Sequence, residues 1–127
     1  MIIGIGIDLV ELERMEKSRR RFGQRLARKI LNPAELAEFS ALPEADTTVF
    51  LASRFAAKEA GAKALGCGFS DGVGPTDLET RKDVLGKPEL VLHGKAEEKG
   101  RTMGLARIHL SLTHSRNAAA AMVVMEK

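Results

Sequence analysis

The chain has 127 residues, 44% hydrophobic and 29% charged, with a formal net charge of +3, which is the size of one ordinary domain with enough apolar material for a core. No apolar run approaches the ~20 residues of a membrane helix, the N-terminus has no basic region leading into an apolar stretch and so predicts no signal peptide, and Cys67, the sole cysteine, excludes an internal disulfide, in keeping with a reducing cytoplasm. With five Phe and no Trp or Tyr, stacking platforms for single-stranded nucleic acid are poorly supplied.

Met1 to Val10 predicts a strand. Ile3, Ile5 and Ile7 fall on one face by period two, and Gly4, Gly6 and Asp8 on the other. A face without side chains lets another backbone or a ligand come close to Asp8. Gly4 and Gly6 open a G-x-G, but position 9 is Leu9 and both glycines lie inside the strand pattern, so a dinucleotide fingerprint is rejected. Glu11 to about Lys29 predicts one basic helix with Leu12, Met15, Phe22 and Leu26 inward and Gly23 weakening its middle. From Arg14 to Lys29 there are eight basic residues against one acid, Glu16. Such a cluster is either a solvated helix face or a surface for an acidic partner.

Asn32 predicts a helix N-cap, with Pro33 at the first helical position and Glu35 in the first turn, running to about Ala41. Pro43 to Asp46 predicts a turn, after which Thr47 or Thr48 caps a third helix reaching Leu65. Gly66, Gly68, Gly72, Gly74 and Pro75 predict a flexible loop. Strands follow at Asp77 to Lys82 and Glu89 to Leu92 around a hairpin turn at Leu85-Gly86-Lys87-Pro88. His93 to Gly104 holds a short helix. Arg107 to Thr113 alternates, with Ile108, Leu110 and Leu112 on one face, and His114 to Asn117 is a turn. The four alanines of Ala118 to Met125 favour helix, but length and position after a turn favour a returning strand. The sum is a single α+β domain over residues 1–127, with helices early and an antiparallel sheet mostly late.

Glu59 and Lys63 are four apart on the third helix and share a face. As an exposed pair they would contribute only ~0.3–0.5 kcal/mol. Ala56, Ala57, Ala60, Gly61 and Ala62 around them let the helix lie close to another element, and Arg54 and Lys58 add charge nearby. Magnesium takes one or two carboxylates plus substrate phosphates. Asp8 and Glu59 supply those carboxylates if the fold brings them together, and Lys63 then neutralises a phosphate oxygen. His93, His109 and His114 with one cysteine make no credible zinc set. No G-x-S-x-G elbow exists for a hydrolytic serine.

Gly6-Ile7-Asp8, and about fifty residues on Arg54-Phe55-Ala56-Ala57-Lys58-Glu59-Ala60 with Lys63, resemble the two signature segments of the phosphopantetheinyl transferases, in particular the small bacterial type. His109-Leu110-Ser111-Leu112-Thr113-His114-Ser115 and the strand after it agree. The resemblance runs from Met1 to about Glu126. It implies transfer of the phosphopantetheine arm of coenzyme A to a serine of apo acyl carrier protein, supporting fatty acid biosynthesis, with magnesium as cofactor. It also implies a homotrimer with active sites between subunits. By resemblance, Asp8 and Glu59 are the magnesium ligands and Lys63 faces the coenzyme A phosphates. Arg54 also binds coenzyme A, and His114 is contributed to that site by a neighbouring subunit. Arg14, Arg21 and Arg25 dock the acidic carrier protein. Either Glu59 or a water on the metal takes the serine proton.

Two other readings compete. A nucleic-acid-binding module draws on the arginine cluster and a pI of about 9.2, but leaves both carboxylates without a task. A magnesium-dependent phosphohydrolase would share Asp8, Glu59 and Lys63 and use water as nucleophile.

Overall fold

The two glycines of the first strand decide how the molecule is layered. A Cβ at Gly6 would collide with the carbonyl oxygen of Ala60, and one at Gly4 with that of Ala64. The strand therefore lies directly on a helix backbone, as a bare strand face permits. A computed structural model describes all residues, Met1–Lys127. In chain order the elements are β1 (Ile2–Glu11), α1 (Leu12–Phe22), α2 (Gln24–Ile30), α3 (Pro33–Ser40), α4 (Glu44–Leu65), β2 (Leu78–Lys82), β3 (Pro88–Leu92), α5 (Gly94–Met103), β4 (Arg107–His114) and β5 (Ala118–Glu126). A single 3-10 turn at Pro75–Asp77 precedes β2.

The strands make two antiparallel sheets, β1-β5-β4 and β2-β3. In the larger sheet Asp8 lies opposite Ala121 and Glu11 opposite Ala118. The expectation of an α+β fold with an antiparallel sheet packed on helices is met. The stretch from Ala118 forms a strand despite its alanines, because small side chains let α4 press onto it. Ala56, Ala57, Ala60 and Ala64 of α4 share one buried cluster with Ala121, Val123 and Met125 of β5 and with Leu78, Leu90 and Leu110. A second cluster joins Met15, Ala27, Ile30 and Phe39 to Leu51 and Ala52.

Local departures have local causes. The basic segment is two helices, not one. Gly23, at φ 57°, occupies the left-handed region that glycine adopts freely, and the chain turns there. Phe22, beside the break, is therefore exposed rather than inward. The capping of α3 is as expected: Asn32 Oδ1 accepts from the Glu35 backbone at 2.9 Å, and Glu35 Oε1 accepts from the Asn32 backbone at 3.1 Å. Helix α4 starts earlier than Thr47. Pro43 stands at its N-cap, with Glu44 and Asp46 in the first turn, where the helix dipole favours acids. A register shift between Ile2 and Gly4 rotates Ile3 out of phase with Ile5 and Ile7. Ile3 packs on the main core, while Ile5, Ile7 and Leu9 are 58%, 64% and 66% exposed on the far face of the sheet.

Candidate active site

Because β1 lies on α4, Asp8 and the Glu59–Lys63 face of the helix meet. Lys63 Nζ donates to Asp8 Oδ1 at 3.1 Å and to the Ile7 carbonyl at 3.0 Å. The salt bridge expected along the helix is instead made across elements, to the strand. Glu59, one turn before Lys63, makes no ion pair or side-chain hydrogen bond. Its pKa is raised above the ordinary carboxylate value, first by burial and then by the negative charge of Asp8, with Lys63 opposing. These three residues, Glu11, Arg14 and Ser18 line an open cleft of ≈ 370 Å³.

Two acidic side chains that repel one another beside a single lysine suit a cation. A divalent ion would remove the repulsion that raises Glu59. The donors are hard oxygens, which favours magnesium over thiolate- or imidazole-seeking metals. No three histidine, cysteine, aspartate or glutamate side chains stand close enough to hold one metal ion between them. A two-carboxylate site leaves the other positions to water and to phosphate oxygens, which is how magnesium is commonly held.

Of the remaining candidates only Arg14 is in this cleft. Arg54 and His114 lie together in a second one, ≈ 270 Å³, with Phe50, Ser53, Lys82 and Thr113. The Arg54 side chain is 5% exposed and stands 3.6 Å from Glu38. Its guanidinium lies 4.3 Å from the centroid of the Phe50 ring. Its Nε is buried without a partner. Arg54, Lys82 and His114 with an unused buried donor outnumber the one acid of this cleft, Asp46, and suit it to an anion. Arg14 lines the carboxylate cleft, whereas Arg21 and Arg25 lie beyond it. Arg21 packs over Phe22 at 5.1 Å, and Arg25 borders a shallow depression with Phe22 and Lys29. The basic cluster is also less free than its composition implies. Arg19 is bound to Glu16 and Glu44, and Arg20 to Glu16.

Lys58 corrects a sequence expectation. It adds no charge to the cleft, because its side chain is fully buried on another side of α4. Its Nζ donates to Glu35 Oε1 at 2.6 Å, to the Pro75 carbonyl at 2.9 Å and to the Leu78 carbonyl. Glu35 is equally buried, and its Oε2 accepts from the Thr80 backbone at 3.0 Å. The hint was present in the sequence. Lys58 sits among positions that are almost all small or apolar, on a helix therefore buried nearly all round.

The chain is similar to known proteins along its whole length. The family model described as the 4'-phosphopantetheinyl transferase superfamily matches residues 4–121. Holo-[acyl-carrier-protein] synthase of Nitratidesulfovibrio vulgaris strain DP4 is 52% identical over 126 residues, covering 99% of each chain. The crystal structure of holo-[acyl-carrier-protein] synthase from Neisseria meningitidis superposes with a TM-score of 0.91 at 41% identity, covering 100% of both chains. That of the Bacillus anthracis synthase in complex with CoA (3',5'-ADP) has a TM-score of 0.83 at 39% identity, covering 100% of this chain and 98% of that one.

Proposed function

The chain belongs to the 4'-phosphopantetheinyl transferase superfamily, and from that premise we propose that Asp8, Glu59 and Lys63 carry its reaction. The enzyme transfers the 4'-phosphopantetheine moiety of coenzyme A to a serine of apo acyl carrier protein, giving the holo carrier and adenosine 3',5'-bisphosphate. The observation that carries the site assignment is the meeting of Asp8 and Glu59 across β1 and α4, with Lys63 bonded to Asp8.

Asp8 and Glu59 hold magnesium in this reading. When bound, the ion supplies Lewis-acid stabilisation of charge on the pyrophosphate of coenzyme A. Lys63 is half-exposed at the cleft, so its ammonium can leave one contact with Asp8 and donate to a phosphate oxygen. That oxygen gains charge as the bond to the leaving bisphosphate stretches, and a fixed donor there lowers the barrier. Glu59, which has no donor of its own, lines the cleft where the attacking serine must give up its proton, to this carboxylate or to a water beside it. Arg14, on the rim, faces the approach of an acidic carrier, with Arg21 and Arg25 extending the positive surface along α1 and α2.

Arg54 and His114 bind another part of coenzyme A. The unpaired Arg54 Nε supports an anionic group such as a phosphate. Because the two clefts are separate in one protomer, the complete site forms between subunits of a homotrimer, with His114 supplied by the neighbour. The exposed Ile5, Ile7 and Leu9 supply apolar surface for that assembly. Residues 1–127 act as one catalytic domain, in the cytoplasm, serving fatty acid biosynthesis. No helix is long and apolar enough to cross a membrane.

The test incubates the protein with coenzyme A, magnesium and apo acyl carrier protein and weighs the carrier by mass spectrometry. The expected result is addition of one phosphopantetheine, lost with a chelator and restored by excess magnesium. A carrier modified equally well in the chelator would overturn the metal assignment.

A further inference from the structure

Helix α4 carries both Glu59 and Lys63, so its rotation about its own axis decides whether they face Asp8. Successive helical residues are turned by about 100°. Ala60 and Ala64 therefore mark one side of α4, the side on which the β1 glycines rest. Lys58, about 160° round from Ala60, and Gly61, about 100° round from it, mark another side. A Cβ at Gly61 would meet Leu78 and Leu90 of the small sheet, and Lys58 reaches into the same region. Glu59 and Lys63 project between these two sides, toward Asp8.

The contacts of the β1 glycines with α4 are backbone against backbone. Those of Lys58 are directional. One ammonium meets three acceptors from three elements: Glu35 of α3, Pro75 of the 3-10 turn and Leu78 of β2. Glu35 is itself fixed, since Oε1 also takes the Asn32 N–H of the α3 cap and Oε2 takes the Thr80 N–H of β2. Lys58, Glu35, Asn32, Leu78 and Thr80 are buried, so leaving any of their groups unpaired is costly. An alternative rotation of α4 would strand both charges. We propose that Lys58, held by Glu35, is a positioning residue that fixes the rotation of α4 so that Glu59 and Lys63 face Asp8.

The arrangement suits this role better than a purely stabilising one. A buried ion pair is on average no more stabilising than apolar side chains of the same volume, but it specifies a single geometry. Arg54 and Glu38, one turn along each helix, repeat the α3–α4 pairing at longer range, 3.6 Å.

The inference rests on the reading of Asp8 and Glu59 as metal ligands, and the test separates the two. Mn²⁺ binding is measured by electron paramagnetic resonance without coenzyme A or carrier, for the parent and for Glu35→Gln, Lys58→Met and Glu59→Gln. Glu35→Gln keeps one oxygen for Lys58 and the Asn32 cap but removes the counter-charge and turns an amide donor toward the Thr80 N–H, so the melting temperature of each variant is measured beside its Mn²⁺ binding and the comparison is made at a temperature where parent and variant are both folded. The expected result is a Kd for Mn²⁺ raised about tenfold or more in Glu35→Gln, the usual range for losing a support of a ligating residue. Its kcat falls by a similar factor, and KM for coenzyme A stays near the parent value. Glu35→Gln that melts normally and binds Mn²⁺ within twofold of the parent, while Glu59→Gln loses binding, overturns the positioning role alone. Unchanged binding in Glu59→Gln overturns the site reading beneath it.

Discussion

In the proposed site, Asp8 and Glu59 suit a cation because their negative charges oppose one another. Burial and mutual repulsion raise Glu59, and a divalent ion relieves both at once. Asp8→Asn and Glu59→Gln remove one ligand charge each while keeping shape. Either substitution is expected to lower kcat by at least about 100-fold, the upper end of effects on metal-site support, with the far-ultraviolet circular dichroism spectrum unchanged. A variant that retains parental turnover at low millimolar magnesium would not carry a ligand at that position. Arg54, Lys58, Glu59 and Lys63 stand within ten residues of one another yet divide between two sets of neighbours, because successive helical positions face different ways. Lys58 and Arg54 pair with α3, whereas Glu59 and Lys63 face β1.

At the scale of elements, the contact of β1 with α4 sets the site, and glycine makes that contact possible. Gly6→Ala forces β1 away from the Ala60 carbonyl. The expected destabilisation is about 1–3 kcal/mol, typical of overpacking, read as a lower denaturant midpoint. Activity should fall further than stability, because Asp8 moves with the strand. The small sheet has its own anchor in Glu79. Its carboxylate accepts from Arg81 at 2.8 Å and lies 2.8 Å from His93 Nε2. Its pKa is lowered from 4.5 to about 2, chiefly by the Arg81 hydrogen bonds and then by His93 and Asn32. A carboxylate held below its unfolded value contributes stability that is complete above about pH 4.5 and is lost as pH falls toward about 2. Thermal melts of the parent should therefore show a falling Tm across that interval, and Glu79→Gln should flatten part of the slope. An identical slope in the variant would assign the acid sensitivity elsewhere, with Glu16, also lowered to about 2 by Thr48 and Arg19, as the next group to replace.

For the whole molecule, the separation of the two clefts and the bare apolar face of β1 belong to one problem. Ile5 and Ile7 are each more than half exposed, on the face of the sheet opposite α4. Ile7→Glu places a charge on that face without touching the core or the Ile7 carbonyl that binds Lys63. On the proposed assembly, in which His114 completes a neighbour's site, the expected outcome is a monomer by analytical ultracentrifugation, folded but inactive. An active monomer would show that one chain holds a complete site.

Much of this was legible residue by residue. Strand alternation placed Asp8 on the glycine face, helical spacing put Glu59 with Lys63, and the Asn32-Pro33-Glu35 cap appeared as its chemistry requires. Local rules of this kind need only neighbours in the chain. Three things escaped them. Gly23 ends one helix and begins another because a glycine at positive φ reverses the path, whereas its propensity alone only weakens a helix. Lys58 reads as a surface charge until its partner twenty-three residues earlier is seen to be buried with it. Lys63 reads as the partner of Glu59 until β1 offers Asp8 instead.

The sequence by itself determined the α+β class, most element positions, the two carboxylates and the lysine, and the family to which they belong, because these follow from periodicity, capping and motif chemistry along the chain. Only the tertiary structure decided which charge meets which. It set Lys63 on Asp8 and Lys58 on Glu35, left Glu59 without a partner, and put Arg54 and His114 in a cleft of their own. The physical reason is that burial and Coulomb energy depend on separation in space, and residues 8 and 63, or 35 and 58, acquire theirs only when the elements pack.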